Sequence, residues 1–151
     1  VPRRKRIGEI FGEGCMKSAA DFATAALVYQ HGDMPDHFQM AFLWAKRAVD
    51  LGDKSQKNLM AAAIDRYLTK TGHRQLFGSQ AKADFVDSNA CYCIEQVEKS
   101  FPSKMREEYL GRTLREQEAW VKTLNQGKIC RELECREALK ASPAGTIPGF
   151  W

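Results

Sequence analysis

One histidine, one aspartate and one arginine are the side chains of this sequence best suited to work on a polar substrate. His31 follows Gln30 at the end of an apolar-periodic run, and Asp65 and Arg66 lie inside the stretch LMAAAIDRYLTKTGHRQLFGSQ, residues 59–80. An imidazole beside a carboxylate can act as a general base, with the carboxylate fixing its tautomer. An arginine holds a carboxylate or phosphate in a planar fork. Gln30, Gln75 and Gln80 bring amides, and Ser79 a hydroxyl, that can orient a polar ligand. The same residues also have a purely structural reading. Asp65 can pair with Arg66 or with a neighbouring helix, and the glutamines can satisfy backbone groups of the loop at residues 73–80.

The elements that would place these groups follow from hydrophobic spacing. Ser18 with Asp21 three residues on reads as a capping box, and Phe22, Ala25, Ala26 and Tyr29 supply the inner stripe of a first helix that stops at Gly32. Asp36 is suited to cap a second helix, with Gln39 at its third position. Phe38, Ala41, Phe42, Ala45 and Val49 face inward there, and Trp44, Ala48 and Leu51 widen that face. A third helix runs from about Ser55 to Thr71 on Leu59, Met60, Ala63, Ile64, Tyr67 and Leu68, and Gly72 closes it. Asp65 and Arg66 fall off that stripe. Helices joined by short loops pack antiparallel, so the first and third run parallel. That brings residues 30–31, 65–66 and 73–80 to one end of the bundle, where Gln30, His31, Asp65, Arg66, Gln75 and Gln80 can line one pocket.

Beyond Gln80 the pattern is weaker. Residues 91–97 alternate and suit a short strand paired with residues near 83–86. Phe101-Pro102 breaks the chain and Ser103 is placed to cap a short helix ending near Gly111. Thr113-x-x-Glu116 is a second capping box, for a helix ending near Gly127, and residues 130–140 suit a last short helix with Leu133 and Leu139 inward. The expected fold is therefore one all-α, mainly helical domain over residues 1–151. It has a repeat-like antiparallel helix core, two or three further helices and at most one short β-hairpin. Residues 1–14 are read as a loosely ordered basic segment, and 141–151 as an irregular tail whose Phe150 and Trp151 pack on the body.

The net charge is +4, and Arg3, Arg4, Lys5 and Arg6 account for all of it, so the remaining 147 residues carry no bias toward nucleic acid. No apolar run reaches the length of a membrane span. Val1 stands where an initiator methionine would, which predicts a segment upstream that was removed or left out. Five cysteines are present: Cys15, Cys91, Cys93, Cys130 and Cys135. Zinc would be held at unusual spacings by the last four. Disulfides joining the 91/93 pair to the 130/135 pair would place the chain in an oxidising, extracellular compartment, whereas reduced thiols would leave it cytoplasmic; the bridged, secreted reading is preferred, with Cys15 left over. His31, Asp33, Asp36 and His37 are close in sequence, but Asp33 suits a turn and Asp36 a cap, so no metal site and no cofactor is expected.

Two resemblances arise from these motifs. Shifting the chain by 37 places Ala25-Ala26 on Ala62-Ala63, and with AFLWAKRAVDLGD between them the run from Asp21 to Gly72 resembles the Sel-type relatives of the tetratricopeptide repeat. More specifically, Gln30-His31, the run Asp65-Arg66-Tyr67-Leu68 and the segment Gln75-x-Phe77-Gly78-Ser79-Gln80 resemble an uncharacterised family of small, largely bacterial proteins. Its pattern is QH, DRYL and Q-x-F-G-T-Q; Ser79 replaces the threonine and keeps the hydroxyl. That resemblance covers about a third of the chain and implies no activity. The cysteine-bearing remainder departs from it.

Two functions stay open at this level. One is a secreted binding module holding a protein partner or a small polar or anionic ligand at the rim of residues 30–31, 65–66 and 73–80. Repeat-like helix pairs commonly build such surfaces. The other is a small hydrolase-like enzyme with His31 as general base and Asp65 and Arg66 as orienting and anion-holding groups. A shared cavity reached by His31, Asp65 and Gln80 would favour the second.

Overall fold

The computed structural model describes residues 2–86, 89–130 and 132–151. Six α-helices and one two-stranded antiparallel sheet make up the described elements, and 52% of the chain is helical, so helix packing and not sheet pairing builds the body. In chain order these are α1 (Pro2–Gly12), α2 (Ala19–Gln30), α3 (Pro35–Asp50), a 3-10 turn (Lys54–Gln56), α4 (Lys57–Lys70), β1 (Ala81–Val86), β2 (Asn89–Ile94), α5 (Ser103–Leu110) and α6 (Leu114–Leu124).

α3 is the central helix and packs on α2 on one side and α4 on the other. Alanines make this close approach possible. Ala25, Ala26, Ala41, Ala45, Ala48, Ala61 and Ala63 are all buried, and Phe42, Trp44, Met60, Ile64 and Leu68 fill the spaces between them. The α2 capping box forms: Ser18 Oγ accepts from the Asp21 amide at 3.2 Å, and the Asp21 carboxylate takes the Ser18 amide at 2.8 Å. At the far end of α4, the His73 amide reaches the Leu68 carbonyl at 2.8 Å and the Gly72 amide the Thr69 carbonyl at 3.1 Å. That pair of bonds needs a left-handed residue between them, and Gly72 supplies it with φ +79°.

Several elements differ from the sequence reading. Residues 2–12, expected to be loose, are the helix α1; it buries no residue fully, but Phe11 rests on Trp44 at 5.4 Å between centroids and Tyr29 Oη donates to the Arg4 carbonyl. Met34 holds the N-cap position of α3 and Pro35 opens the helix, so Asp36 is not the cap. The His37 ring does the capping, since its Nδ1 accepts the amides of Asp33 and Met34, each at 3.2 Å. Leu51 lies past the helix end and is exposed. Ser103 is the first residue of α5 and makes no cap bond, because Pro102 takes the capping position. The Thr113–Glu116 box at α6 forms as expected.

The largest departure is at residues 130–140, where no helix forms among the described residues. Two disulfides hold this stretch against β2: Cys91–Cys130 and Cys93–Cys135. The described residues there are irregular, touching β2 through an isolated parallel bridge between Ile94 and Glu134. The Ile94 amide donates to the Leu133 carbonyl at 2.6 Å, and the Cys135 amide donates back to the Ile94 carbonyl at 2.8 Å. Covalent attachment to a strand at two points leaves the segment to complete that strand's hydrogen bonds, which overrides its helical spacing. Cys15 is free and exposed. The tail packs: Trp151 Nε1 donates to the Ser142 carbonyl at 2.8 Å, and Phe150 and Trp151 close over Phe42, Phe77 and Phe101.

Candidate functional site

The residues singled out from the sequence fall into two layers at the end of α4, one closed and one open. The closed layer is centred on Asp65, which is fully buried. Its Oδ1 accepts the amides of Leu76 at 2.8 Å and Phe77 at 2.9 Å, and its Oδ2 accepts the Ser79 amide at 2.9 Å and the Ser79 hydroxyl at 2.7 Å. A carboxylate offers about four lone-pair positions, and four donors fill them. Burial pushes the Asp65 carboxyl upward, and the amides of Phe77, Ser79 and Leu76 with the Ser79 hydroxyl oppose it.

Gln75 is fully buried beside this anchor and closes the loop from the other side. Its Oε1 accepts the Gln80 amide at 2.8 Å, and its Nε2 donates to the carbonyls of Gln80 at 2.9 Å and Glu95 at 2.6 Å. Two residues not picked out from the sequence complete the clamp. Buried Arg106 of α5 donates through Nε to the Leu76 carbonyl and through Nη2 to the Glu98 carbonyl, and Gln117 of α6 donates to the Gly78 carbonyl at 3.0 Å. Leu76 is thus held at both polar ends, its amide by an acid and its carbonyl by a base. Gly78 has φ +85°, a left-handed conformation that favours glycine, and a Cβ there would also push aside a Leu114 methyl 2.8 Å away. With the backbone anchored, Leu76 and Phe77 drive their side chains into the core, Phe77 edge-on to Phe101 at 4.9 Å.

The open layer is centred on Arg66. Its guanidinium lies over the Phe38 ring at 5.4 Å and is half-buried. Nη1 donates to the Gln30 carbonyl at 3.0 Å and Nε to Gln80 Oε1 at 3.2 Å. Three of the five guanidinium N–H groups remain, and no carboxylate lies within salt-bridge distance of it among the described residues. Gln80 joins the two layers, since its Nε2 also donates to the Ser79 hydroxyl at 3.0 Å. Gln30 is 7% exposed, and its Oε1 is buried with no hydrogen-bond partner.

His31 belongs to neither layer. It caps α2 as an exposed residue, its carbonyl accepting from Arg4 Nη1, and it borders an open cleft of about 410 Å³ shared with Pro2, Arg3, Arg4 and Val28. The single pocket of His31, Asp65, Arg66 and the glutamines therefore does not form. Asp65 has no lone pair left to orient an imidazole, and its donors all come from residues 76–79. Gln30, Arg66 and Gln80 are brought together; Asp65, Gln75 and Ser79 are consumed by the clamp. Among the described residues no group of three or more His, Cys, Asp or Glu side chains is arranged to hold a metal ion, and Cys91, Cys93, Cys130 and Cys135 are bonded to one another.

A faint signal for Asp65 was available. Ala61 and Leu68, four before and three after, continue the apolar face through its position. No comparable signal marked Arg106, which stands among charged neighbours in SKMREEYL. No family model matches the chain, and no curated protein and no solved structure matches it either.

Proposed function

We propose that this protein is a non-catalytic binding module whose contact point is the Arg66 rim, taking the carboxylate or other anionic group of a small polar ligand or of a partner protein. The observation that carries this reading is the state of Arg66. A guanidinium that is half desolvated, fixed by Gln30, Gln80 and Phe38, and without a carboxylate in salt-bridge range among the described residues is prepared for an anion. Burial lowers the affinity of Arg66 for its proton, an expense that an incoming anion reverses. The hydrolase reading has no comparable support, because its base and its orienting acid are in different places. Extracellular residence goes with this proposal: two disulfides stabilise a chain where thiols are oxidised, and no described helix is long and apolar enough to cross a membrane.

The test is a nitrogen-detected NMR titration of the arginine Nε–Hε signals with sodium acetate against equal sodium chloride. Saturable movement of the Arg66 signal, absent from the exposed Arg3 and Arg112, is expected. Equal movement of all three, or none, would sink the proposal. Intact-mass analysis of the protein taken from its native source without reductant, after alkylation, should find one reactive thiol; five would remove the extracellular assignment.

A further inference from the structure

We infer that the chain carries a proteolytic processing site between Arg6 and Ile7, cut by a serine protease that recognises clustered basic residues. The four residues before that bond are Arg3, Arg4, Lys5 and Arg6, the one tetrabasic run of the sequence. A protease of this class holds its substrate extended. Its acidic pockets take the first, second and fourth side chains before the cut and leave the third without a pocket. The structure sorts the run in the same way. Arg6, Lys5 and Arg3, the first, second and fourth, are exposed. Arg4, the third, is the one held down. Its side chain is 17% exposed, Nη1 donates to the His31 carbonyl at 3.4 Å, and Nη2 meets Asp33 at 3.3 Å. Arg6 pairs with Glu9 and Glu13 at the surface, contacts that an acidic pocket replaces at little cost.

The backbone must unwind to enter such a protease, and α1 is built to allow it. The helix buries no residue fully, and the basic run lies in its opening turns, where few amides have a partner within the helix. Gly8, two residues past Arg6, weakens the helix across the cut. The run is held by the Tyr29 hydroxyl on the Arg4 carbonyl and by the Arg4 pair with Asp33, itself 79% exposed. Past the cut, Ile7 packs on the core and Phe11 rests on Trp44, so the rest of α1 has its own anchors. Opening of residues 3–8 therefore belongs to the low-stability end of the fold. Water adds across the Arg6–Ile7 amide and the C–N bond breaks; Arg6 leaves as a carboxylate and Ile7 keeps the nitrogen as an ammonium. The cut removes the four side chains that account for the whole net charge of +4. It also takes Pro2, Arg3 and Arg4 away from the cleft they share with Val28 and His31.

The experiment incubates the full, oxidised chain with a purified subtilisin-type protease specific for paired basic residues, and follows intact mass with time. A synthetic peptide of residues 1–14 is run beside it. The expected result is one cut, after Arg6, while the other Lys-Arg pair, Lys46-Arg47 between buried Ala45 and Ala48 in α3, stays whole. Arg3→Gln should slow the cut about tenfold, the loss of one charge-assisted contact. Arg4→Gln should leave the rate unchanged or raise it, because that side chain docks the run and meets no pocket. Cleavage of the peptide but not of the protein overturns the inference by showing that α1 protects the bond. No cleavage of either overturns recognition of the run. Cutting after Arg47 as fast as after Arg6, or equal slowing by Arg3→Gln and Arg4→Gln, overturns the assignment made from exposure.

Discussion

Asp65 and Arg66 are adjacent in sequence and opposite in circumstance. Asp65 is buried, charged by nature and completely answered: every lone pair meets a donor from residues 76–79. Arg66 is half-buried and answered in part, with a carbonyl and an amide oxygen where a carboxylate would usually lie. Both lie at the same end of α4. The comparison teaches that a cluster of functional-looking residues can divide within one helical turn. Half of it holds the backbone in place, and the other half is left over for a partner. Polar saturation, and not residue type, separates the two.

The largest effect expected is on the closed side. Asp65→Ala removes the acceptor for three amides and a hydroxyl that stay buried, at about 1–3 kcal/mol for each orphaned donor, so a loss of about 5 kcal/mol is expected in denaturant unfolding. A loss under about 1 kcal/mol would mean that the loop does not depend on the clamp.

Next comes the covalent ledge on which the clamp lies. Gln75 Nε2 donates to Glu95, immediately after β2, and β2 is tied to residues 130–135 by the two disulfides, which close loops of 39 and 42 residues. With Cys91–Cys130 still closing the long loop, replacing Cys93 and Cys135 together with serine opens only the short ring between the two bridges and should cost about 2–3 kcal/mol by loop-closure entropy, read as a lower chemical-denaturation midpoint. Hydrogen exchange at the amides of 76, 77 and 79 should accelerate with it. Unchanged exchange there would show that the clamp stands without its ledge.

A pH measurement sharpens the comparison with a second loop-holding carboxylate. Burial raises the Glu98 carboxyl, but the amides of Ser142 and Ser100 and the Ser100 hydroxyl outweigh it, and the net position is below the ordinary glutamate value. A folded pKa below the unfolded one gives stability that is present above the unfolded value and lost as pH falls through the folded one. The gap in melting temperature between the native protein and Glu98→Gln should therefore be open above about pH 5 and close on acidification. A gap that widens toward acid would reverse the assignment.

The smallest stability effect belongs to the open side. Arg66→Ala should change stability by about half a kcal/mol, because no ion pair is broken and alanine suits a helix. It should nevertheless abolish the acetate response. A melt many degrees lower would place Arg66 with the clamp and end the contrast with Asp65.

The sequence alone determined the helical body. Phe22, Ala25, Ala26, Phe38, Ala41, Phe42, Ala45, Met60, Ala63, Ile64 and Leu68 lie at helical spacing and are all buried, because one apolar stripe per helix has only one way to leave water. It also favoured bridges between the 91/93 pair and the 130/135 pair, while the connectivity within that set, Cys91–Cys130 and Cys93–Cys135, came only from the fold. Local signals of this kind act within a few residues or through chemistry with few partners. Tertiary structure decided the rest. Residues 130–140 have the spacing of a helix, yet with two covalent ties to β2 their described part is irregular and not helical. Asp65 has the look of a surface acid, yet the chain returning at residues 76–79 surrounds it with donors. Arg106, a base in a charged run, reaches the Leu76 carbonyl thirty residues earlier in the chain. In each case the deciding partner is distant in sequence. A buried polar group is tolerated only where such a partner arrives, and no local pattern records its arrival.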